Sequence, residues 1–296
     1  MTGRLVVLLG HPYDGGTRRV RTEIGSRSAT PALLLTPELV AAAGWRYRLD
    51  AAGRARTELR LPNGRRVTDD AIGCVLNRWD HLPAPRLRRP SERDAEYGAL
   101  EFQSLVASWL GGLGDRVVNR AGAHAVDVGP RTSRAWLVSA VEAGLPVAAS
   151  ALATTARRLP DRVTGRRPVR PLGRFMPAGG GGTGRAPVEI GWSASGLADE
   201  PDDPDEPDDE ARWSAGPDCL VVGDRVLDAP TQPIGRACVG VAAAAGCAIA
   251  GFRFDHTTGG PALCRVTTRP ALIDPRHAVA VAEFCVSLAA RTEALR

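Results

Sequence analysis

The sequence predicts an α/β fold, a three-layer domain with a mostly parallel sheet joined to a smaller α+β unit. Two observations carry this reading. Over residues 1–150, short apolar runs alternate with stretches of helical period, the pattern of a parallel sheet covered by helices. From Asp218 to Leu272 the pattern changes to a hairpin, a helix and two consecutive strands.

In chain order, Arg4–Leu9 is a strand of the buried type, and His11–Gly16 is the loop at its end. Thr17 is the expected cap of the helix that follows. Ala32–Thr36 is a second short strand, and Trp45–Leu49 and Thr57–Leu61 alternate apolar and polar residues, the period of half-exposed strands. Ile72–Asn77 is again of the buried type and runs into Arg78. The clearest helix is Ser91–Leu113. Phe102, Leu105, Val106, Trp109, Leu110 and Leu113 form one apolar stripe, Ser91 with Asp94 makes a capping box, and Gly111, Gly112 and Gly114 loosen and end it. Val117–Asn119 is the next strand. A helix from about Thr132 to Ala143 should bury Trp136, Leu137 and Val141 and stop at Gly144, and Pro146–Ala148 starts another strand.

In the second block, Asp218–Leu227 has two apolar runs flanking Gly223-Asp224, which suits a type II′ hairpin turn. An Ala-rich helix is expected from about Pro233 to Ala250. The strand Gly251–Asp255 follows, then a turn over Thr257–Pro261, then the strand Ala262–Thr268, stopped by Pro270. Asp274-Pro275 opens an amphipathic last helix. The stretch 151–217 fits neither block. It contains Gly179–Gly184, read as a flexible linker over a phosphate cradle because no G-x-x-x-x-G-K-[ST] is present. It also contains Asp199–Glu210, nine acids with recurrent Pro, which cannot bury apolar surface and reads as disordered.

Composition removes several function classes. All 38 basic residues are Arg, so no lysine chemistry is available: no Schiff base, no P-loop lysine. Outside Asp199–Glu210 the chain sets 38 Arg against 24 acids, a net +14. Such a body suits phosphates, acidic peptide or nucleic acid, but the aromatic content of 5% and the lack of a stacking motif rank nucleic acid last. No apolar run reaches the roughly 18 residues of a membrane span, and the N-terminal run reads as a strand, so no membrane partner is expected. The six cysteines form no C-x-x-C pair, which points to reduced thiols in a cytoplasmic protein. The histidines show no metal-ligand spacing, G-x-S-x-G is absent, and His11 with Asp14 reads as a surface loop in preference to an acid–base pair.

Several of these pieces stand in the order of one family. The hairpin Val221-Val222-Gly223-Asp224-Arg225-Val226, the strand ending in Asp255 and the strand closed by Pro270 resemble the C-terminal lobe of ATP-grasp ligases. Val75-Leu76-Asn77-Arg78, then Tyr97 and Glu101, then Val117-Val118-Asn119-Arg120, then Gly144-Leu145-Pro146-Val147 resemble the preceding domain of the members that modify ribosomal peptides. The resemblance implies a pre-ATP-grasp domain over 1–150, a truncated central lobe over 151–217 and a C-terminal lobe over 218–296, making a shortened ATP-grasp core. It implies ATP and magnesium as cofactors and carboxylate activation through an acyl-phosphate. Asp255 takes the position of the first magnesium carboxylate, and Arg170 that of a phosphate-binding lysine. Arg265, Val266 and Thr267 replace the family's E-V-N, so a fixed positive charge stands where a metal ligand would be, and an Asp255–Arg265 ion pair is expected to fill the place.

The expected function is therefore a degenerate ATP-grasp-like protein, a binding or accessory subunit for peptide or small-molecule modification. Its substrate-facing residues would be Asn77, Arg78, Asn119 and Arg120 at parallel strand ends, where α/β sheets bind ligands. The partner would be a peptide, a small-molecule carboxylate or a partner ligase, with a homo-oligomer left open. The alternative is a working carboxylate–amine ligase of divergent design. In it Arg170, Arg225 and Arg265 hold phosphates, Arg265 and Arg225 act in catalysis, and Asp224 and Asp255 serve nucleotide and magnesium.

Overall fold

The computed structural model describes residues 4–51, 53, 55–79, 82, 91–120, 133–147, 217–257 and 260–294. Four strands make the parallel sheet: β1 (Leu5–Leu9), β2 (Ala32–Leu35), β6 (Ile72–Asn77) and β7 (Val117–Val118), in the order β2-β1-β6-β7. Alternate residues of β1 point to opposite faces, as the period of two requires. Val7 and Leu9 join a core with Val40 of α2 (Pro37–Ala41), with Phe102, Val106 and Trp109 of α3 (Glu92–Leu113) and with Leu59 and Val67 of a small antiparallel sheet. That sheet is β3 (Gly44–Leu49), β4 (Ala55–Arg60) and β5 (Arg66–Thr68). Val6 and Leu8 face the other way, onto Val20 and Ile24 of α1 (Gly15–Arg27) and Val281 and Cys285 of the last helix. Three layers result, as expected.

The second sheet is antiparallel, ordered β11-β10-β8-β9, from β8 (Cys219–Val222), β9 (Arg225–Leu227), β10 (Ile249–Thr257) and β11 (Gly260–Thr267). Gly223 takes φ +63 at the hairpin turn while Asp224 does not leave the ordinary region, as type II′ requires. One face of this sheet packs on α4 (Ser133–Glu142) and α5 (Gln232–Ala244) through Trp136, Val241, Phe252 and Leu263. The last helix, α6 (Pro275–Ala294), packs on β6 and α1 as well as on β8. It thus ties the two sheets together, although it follows the second in sequence. A Cβ on Gly73 of β6 would sit 2.9 Å from the Ala289 Cβ, so only glycine admits α6 this close.

Several boundaries differ from the sequence reading, each for a local reason. Helix α1 is capped by Asp14, whose carboxylate accepts from the Thr17 backbone N–H at 3.2 Å and from its hydroxyl at 2.6 Å, so Thr17 is the third residue of the helix and not the cap. Helix α5 ends at Ala244, not Ala250. Gly246 at φ +67 donates to the Ala243 carbonyl at 2.9 Å and Cys247 donates to Ala242 at 2.9 Å, the paired bonds of a Schellman stop. The same bonds end α4, from Gly144 to Val141 and from Leu145 to Ala140. Within α4 the buried stripe is Trp136 and Ala140, and Val141 is 57% exposed. Val147 makes a single bridge to Leu263 and not a longer strand among the described residues.

Candidate functional site

The edge of the parallel sheet was the expected ligand face. Its polar residues turn inward. Arg78, 7% exposed, donates from Nε to Asp14 Oδ2 at 2.8 Å, from Nη2 to Asp14 Oδ1 at 3.3 Å and from Nη1 to the Pro270 carbonyl at 3.0 Å. A Cβ on Gly16 would lie 3.1 Å from both Arg78 Nη2 and Asp14 Oδ1, so glycine leaves room for the pair. Burial pushes the Asp14 carboxyl up, but the Arg78 charge and the hydrogen bonds from Arg78 and Thr17 outweigh it and hold the pKa at about 2. Asp14 is therefore the partner of Arg78 and of the helix terminus. His11 stacks on Tyr13 instead, with ring centroids 5.5 Å apart.

Asn119 sits at φ +57, a left-handed conformation that Asn tolerates better than most residues. Its amide donates to the Ile249 and Thr268 carbonyls, both at 2.8 Å, and accepts from the Ile249 N–H at 2.9 Å. Asn77 donates to the Asn119 carbonyl at 3.3 Å and accepts from the Trp79 N–H at 3.3 Å. Arg120 is exposed and pairs with Asp115. Three of the four residues assigned to substrate thus form a seam between the two sheets, and Arg78 and Asn119 hold the strand-end segment 268–270 directly.

The second candidate lies on β10 and β11. Asp255 is half-buried and stands opposite Ala262. Two residues back, Arg253 is directly opposite Arg265, with a register shift between Arg253 and Phe254 that takes in Cys264. Alternation puts Arg253 and Asp255 on one face, about 7 Å apart along the strand. Burial and the neighbouring Asp255 carboxylate push the Cys264 thiol up to about 12, so it is no thiolate nucleophile. Asp218, absent from the sequence assignments, also bears on that thiol and accepts from the Phe254 N–H at 2.8 Å. Its position one residue before β8 carried the only hint. The Thr267 hydroxyl accepts from the Arg269 N–H at 3.1 Å.

The sequence grouped Arg225 and Asp224 with these residues, and the strand order separates them. Strands β9 and β11 are opposite edges of the sheet, and Arg225 donates to Glu283 of α6 at 3.0 Å. Asp224 is at the hairpin tip beside Ala248, whereas Asp255 lies seven residues along β10, about 20 Å away. They cannot share one metal ion or phosphate. Arg170, with Gly179–Gly184 and Asp199–Glu210, lies outside the described residues.

One cluster of metal-ligating types occurs among the described residues: Asp228, Asp274 and His277. Its cationic place is taken by Arg276, whose Nη2 lies 3.1 Å from Asp228 and 2.7 Å from Asp274, while His277 Nε2 lies 2.7 Å from Asp228. The cluster acts as a junction between the end of β9 and the start of α6.

Comparison with solved structures identifies the architecture. The macrocyclase MdnB from Microcystis aeruginosa MRC superposes with a TM-score of 0.65 at 17% identity, over 95% of this chain and 99% of its own. A Chryseobacterium gregarium RiPP-associated ATP-grasp ligase, in complex with ADP and a leader and core peptide, gives 0.66 at 10%, over 95% and 96%. The ATP-grasp ligase PsnB, complexed with minimal precursor, Mg and ADP, gives 0.63 at 15%, over 97% and 98%. The chain has the ATP-grasp fold. No protein-family model matches the sequence, and no curated protein does.

Within the ATP-grasp fold, Asp255 can be tested as a magnesium ligand from its own surroundings. It offers one carboxylate, with Asp218 near the same Cys264 thiol, but two residues back along β10 the register sets Arg253 opposite Arg265. A unit positive charge about 7 Å from a divalent ion, the spacing of the Arg253 and Asp255 backbone positions, opposes it by roughly 5 kcal/mol at an effective dielectric of 20, less where water screens the exposed Arg265. The residues present do not fit magnesium held in the manner the resemblance implies.

Proposed function

We propose that this ATP-grasp-fold chain is a peptide-binding or accessory subunit that has given up magnesium-dependent ligation. The observation that carries the reading is the Arg253–Arg265 pair beside Asp255: fixed positive charge occupies the surroundings where a metal and its carboxylates would be needed. The peptide half of the proposal is supported by the solved neighbours, among them the Chryseobacterium ligase with its leader and core peptide and PsnB with its minimal precursor. The extensive seam of Asp14, Arg78 and Asn119 suits a rigid scaffold, because each of its buried polar groups is tied to a partner in the other sheet or at the strand end.

A second reading has one observation in its favour. Asp218 and Asp255 both bear on the Cys264 thiol, so two carboxylates lie around that one side chain. In that reading Asp255 and Asp218 take the cation, Arg265 and Arg170 contact phosphate, and the chain joins a carboxylate to an amine with ATP. Thermal melting with ATP or ADP, with and without magnesium, separates the two. Nucleotide at about 100 times its Kd adds about 2.7 kcal/mol to the native state. The accessory reading expects no magnesium-dependent shift. A shift that requires magnesium overturns it and establishes the ligase reading, with phosphate release as the next assay.

A further inference from the structure

The small sheet of the N-terminal domain has an outer face and an edge that the seam and the Asp255 region do not use. Strand β3 is an edge strand: it pairs with β4 on one side, and among the described residues no strand pairs with the other. Five of its six residues are exposed, and the sixth, Trp45, is half-buried against α3. Alternation sends Trp45, Leu59 and Val67 inward and sends Arg46, Arg48, Arg56, Arg60 and Arg66 outward, with Glu58 the single acid among them on the strands. Arg48 stands directly opposite Arg56, and Arg60 directly opposite Arg66. Like charges in register destabilise a sheet. The acids are outnumbered on this face: Glu58, directly opposite Arg46, takes Arg66 at 2.9 Å and also feels the charges of Arg46 and Arg48, and Asp70 takes Arg56 at 2.8 Å. On the inward side, beyond the edge of the core, Tyr47 and Leu49 remain 39% and 66% exposed.

We propose that β3 and this arginine face dock an acidic, extended peptide, which adds a strand to the sheet. Its backbone pairs with the open edge of β3, its alternate acidic side chains lie over Arg46 and Arg48, and the residues between them rest on Tyr47 and Leu49. This rests on the peptide-binding reading above and names the chemistry and place of the peptide. Charge decides among occupants. A second copy of the chain would bring its own β3 arginines against these, and like-charge apposition disfavours it. An acidic strand relieves the repulsion that the sheet carries alone. Duplex nucleic acid also answers positive charge, but it has no use for an open row of backbone N–H and C=O groups.

The test uses the full-length chain and a fluorescein-labelled decapeptide of alternating Glu and Val, read by fluorescence anisotropy. Saturable binding is expected, a Lys-Val decapeptide should not compete, and the Arg46→Glu/Arg48→Glu double variant should bind at least tenfold more weakly. Arg48→Glu relieves the like-charge contact with Arg56 while Arg46→Glu sets a carboxylate opposite Glu58, so the two effects offset and the melting temperature should change little, and a folded variant that keeps full affinity places the peptide elsewhere and overturns the surface. Two further probes carry N-methyl groups on all odd or all even residues. They keep the charge and remove the edge hydrogen bonds, and one of them should lose at least tenfold. Equal affinity of both with the parent probe overturns strand addition. Tighter binding of a duplex DNA with the same loss in the double variant, or a dimer in sedimentation that the double variant abolishes, overturns the peptide as occupant. No binding of the Glu-Val probe overturns the surface too. The accessory reading falls on a different measurement, the magnesium-dependent melt, so the two failures are told apart.

Discussion

At Arg78 three guanidinium nitrogens are engaged inside the protein, two by Asp14 and one by the Pro270 carbonyl. A half-broken buried pair leaves an uncompensated charge, which is far worse than no pair. Asp14→Asn should therefore destabilise the chain by about 3–5 kcal/mol at neutral pH, read from denaturant midpoints. The pH dependence has a definite sign. Asp14 is held below its ordinary value, at about 2, so its contribution is complete above about pH 4 and is lost as pH falls through about 2. The gap between wild type and Asp14→Asn should narrow over that window by about 2 kcal/mol, and a gap that is flat in pH would show that the carboxylate is not the charge that matters. At the second sheet, Arg265→Glu removes one of the two opposed guanidinium groups and adds a carboxylate on the face of Asp255. Titration calorimetry should then show magnesium binding stronger than that of the wild type. No heat with the variant would mean that Arg253 alone excludes the ion.

At the scale of elements, α3 was the most legible. Ser91 and Asp94 make the reciprocal bonds of a capping box, and the stripe Phe102, Val106, Trp109, Leu110 and Leu113 is buried as its spacing foretold. The sequence did not show what anchors it. Trp109 Nε1 donates at 3.1 Å to the Asp69 carboxylate, which also accepts from the Thr57 N–H at 2.6 Å, so α3 is pinned to the small sheet by a buried acid. Burial raises the Asp69 carboxyl above its ordinary value in spite of those donors. Trp109→Ala should destabilise by about 3–5 kcal/mol, the range for emptying a large aromatic site, and a wild-type denaturation midpoint would refute the packing. The shorter helices end where backbone geometry, and not composition, stops them. Four consecutive alanines from Ala242 suggest continuation, but Gly246 offers the left-handed stop at no steric penalty and the chain takes it. Val141 was assigned to the core on hydrophobicity, yet it lies about 100° round the helix from Ala140 and misses the buried stripe.

Across the whole molecule, two sheets far apart in sequence become one body through a few side chains and one helix. Asn119 reads both backbone groups of Ile249 across a separation of 130 residues, and α6 lies over β6, α1 and β8 together. Asn119→Ala leaves the Ile249 N–H without its partner and puts Ala in a left-handed conformation, which together should lower stability by about 3 kcal/mol. Hydrogen exchange should show the loss at Ile249 and along the segment through Thr268. Exchange unchanged there would show that α6 alone holds the sheets. The sequence by itself determined the α/β class, every strand but β5, and the main helix with its caps, because each depends on local periodicity and turn chemistry, and it carried the ATP-grasp resemblance in the order of its motifs. The tertiary structure decided what the charged and polar residues do. Whether Arg78 meets a ligand or Asp14, and whether Arg225 joins Asp255 or the opposite edge, depends on strand order and on which termini are brought together. Those are long-range facts with no local periodic signature for a single sequence to carry.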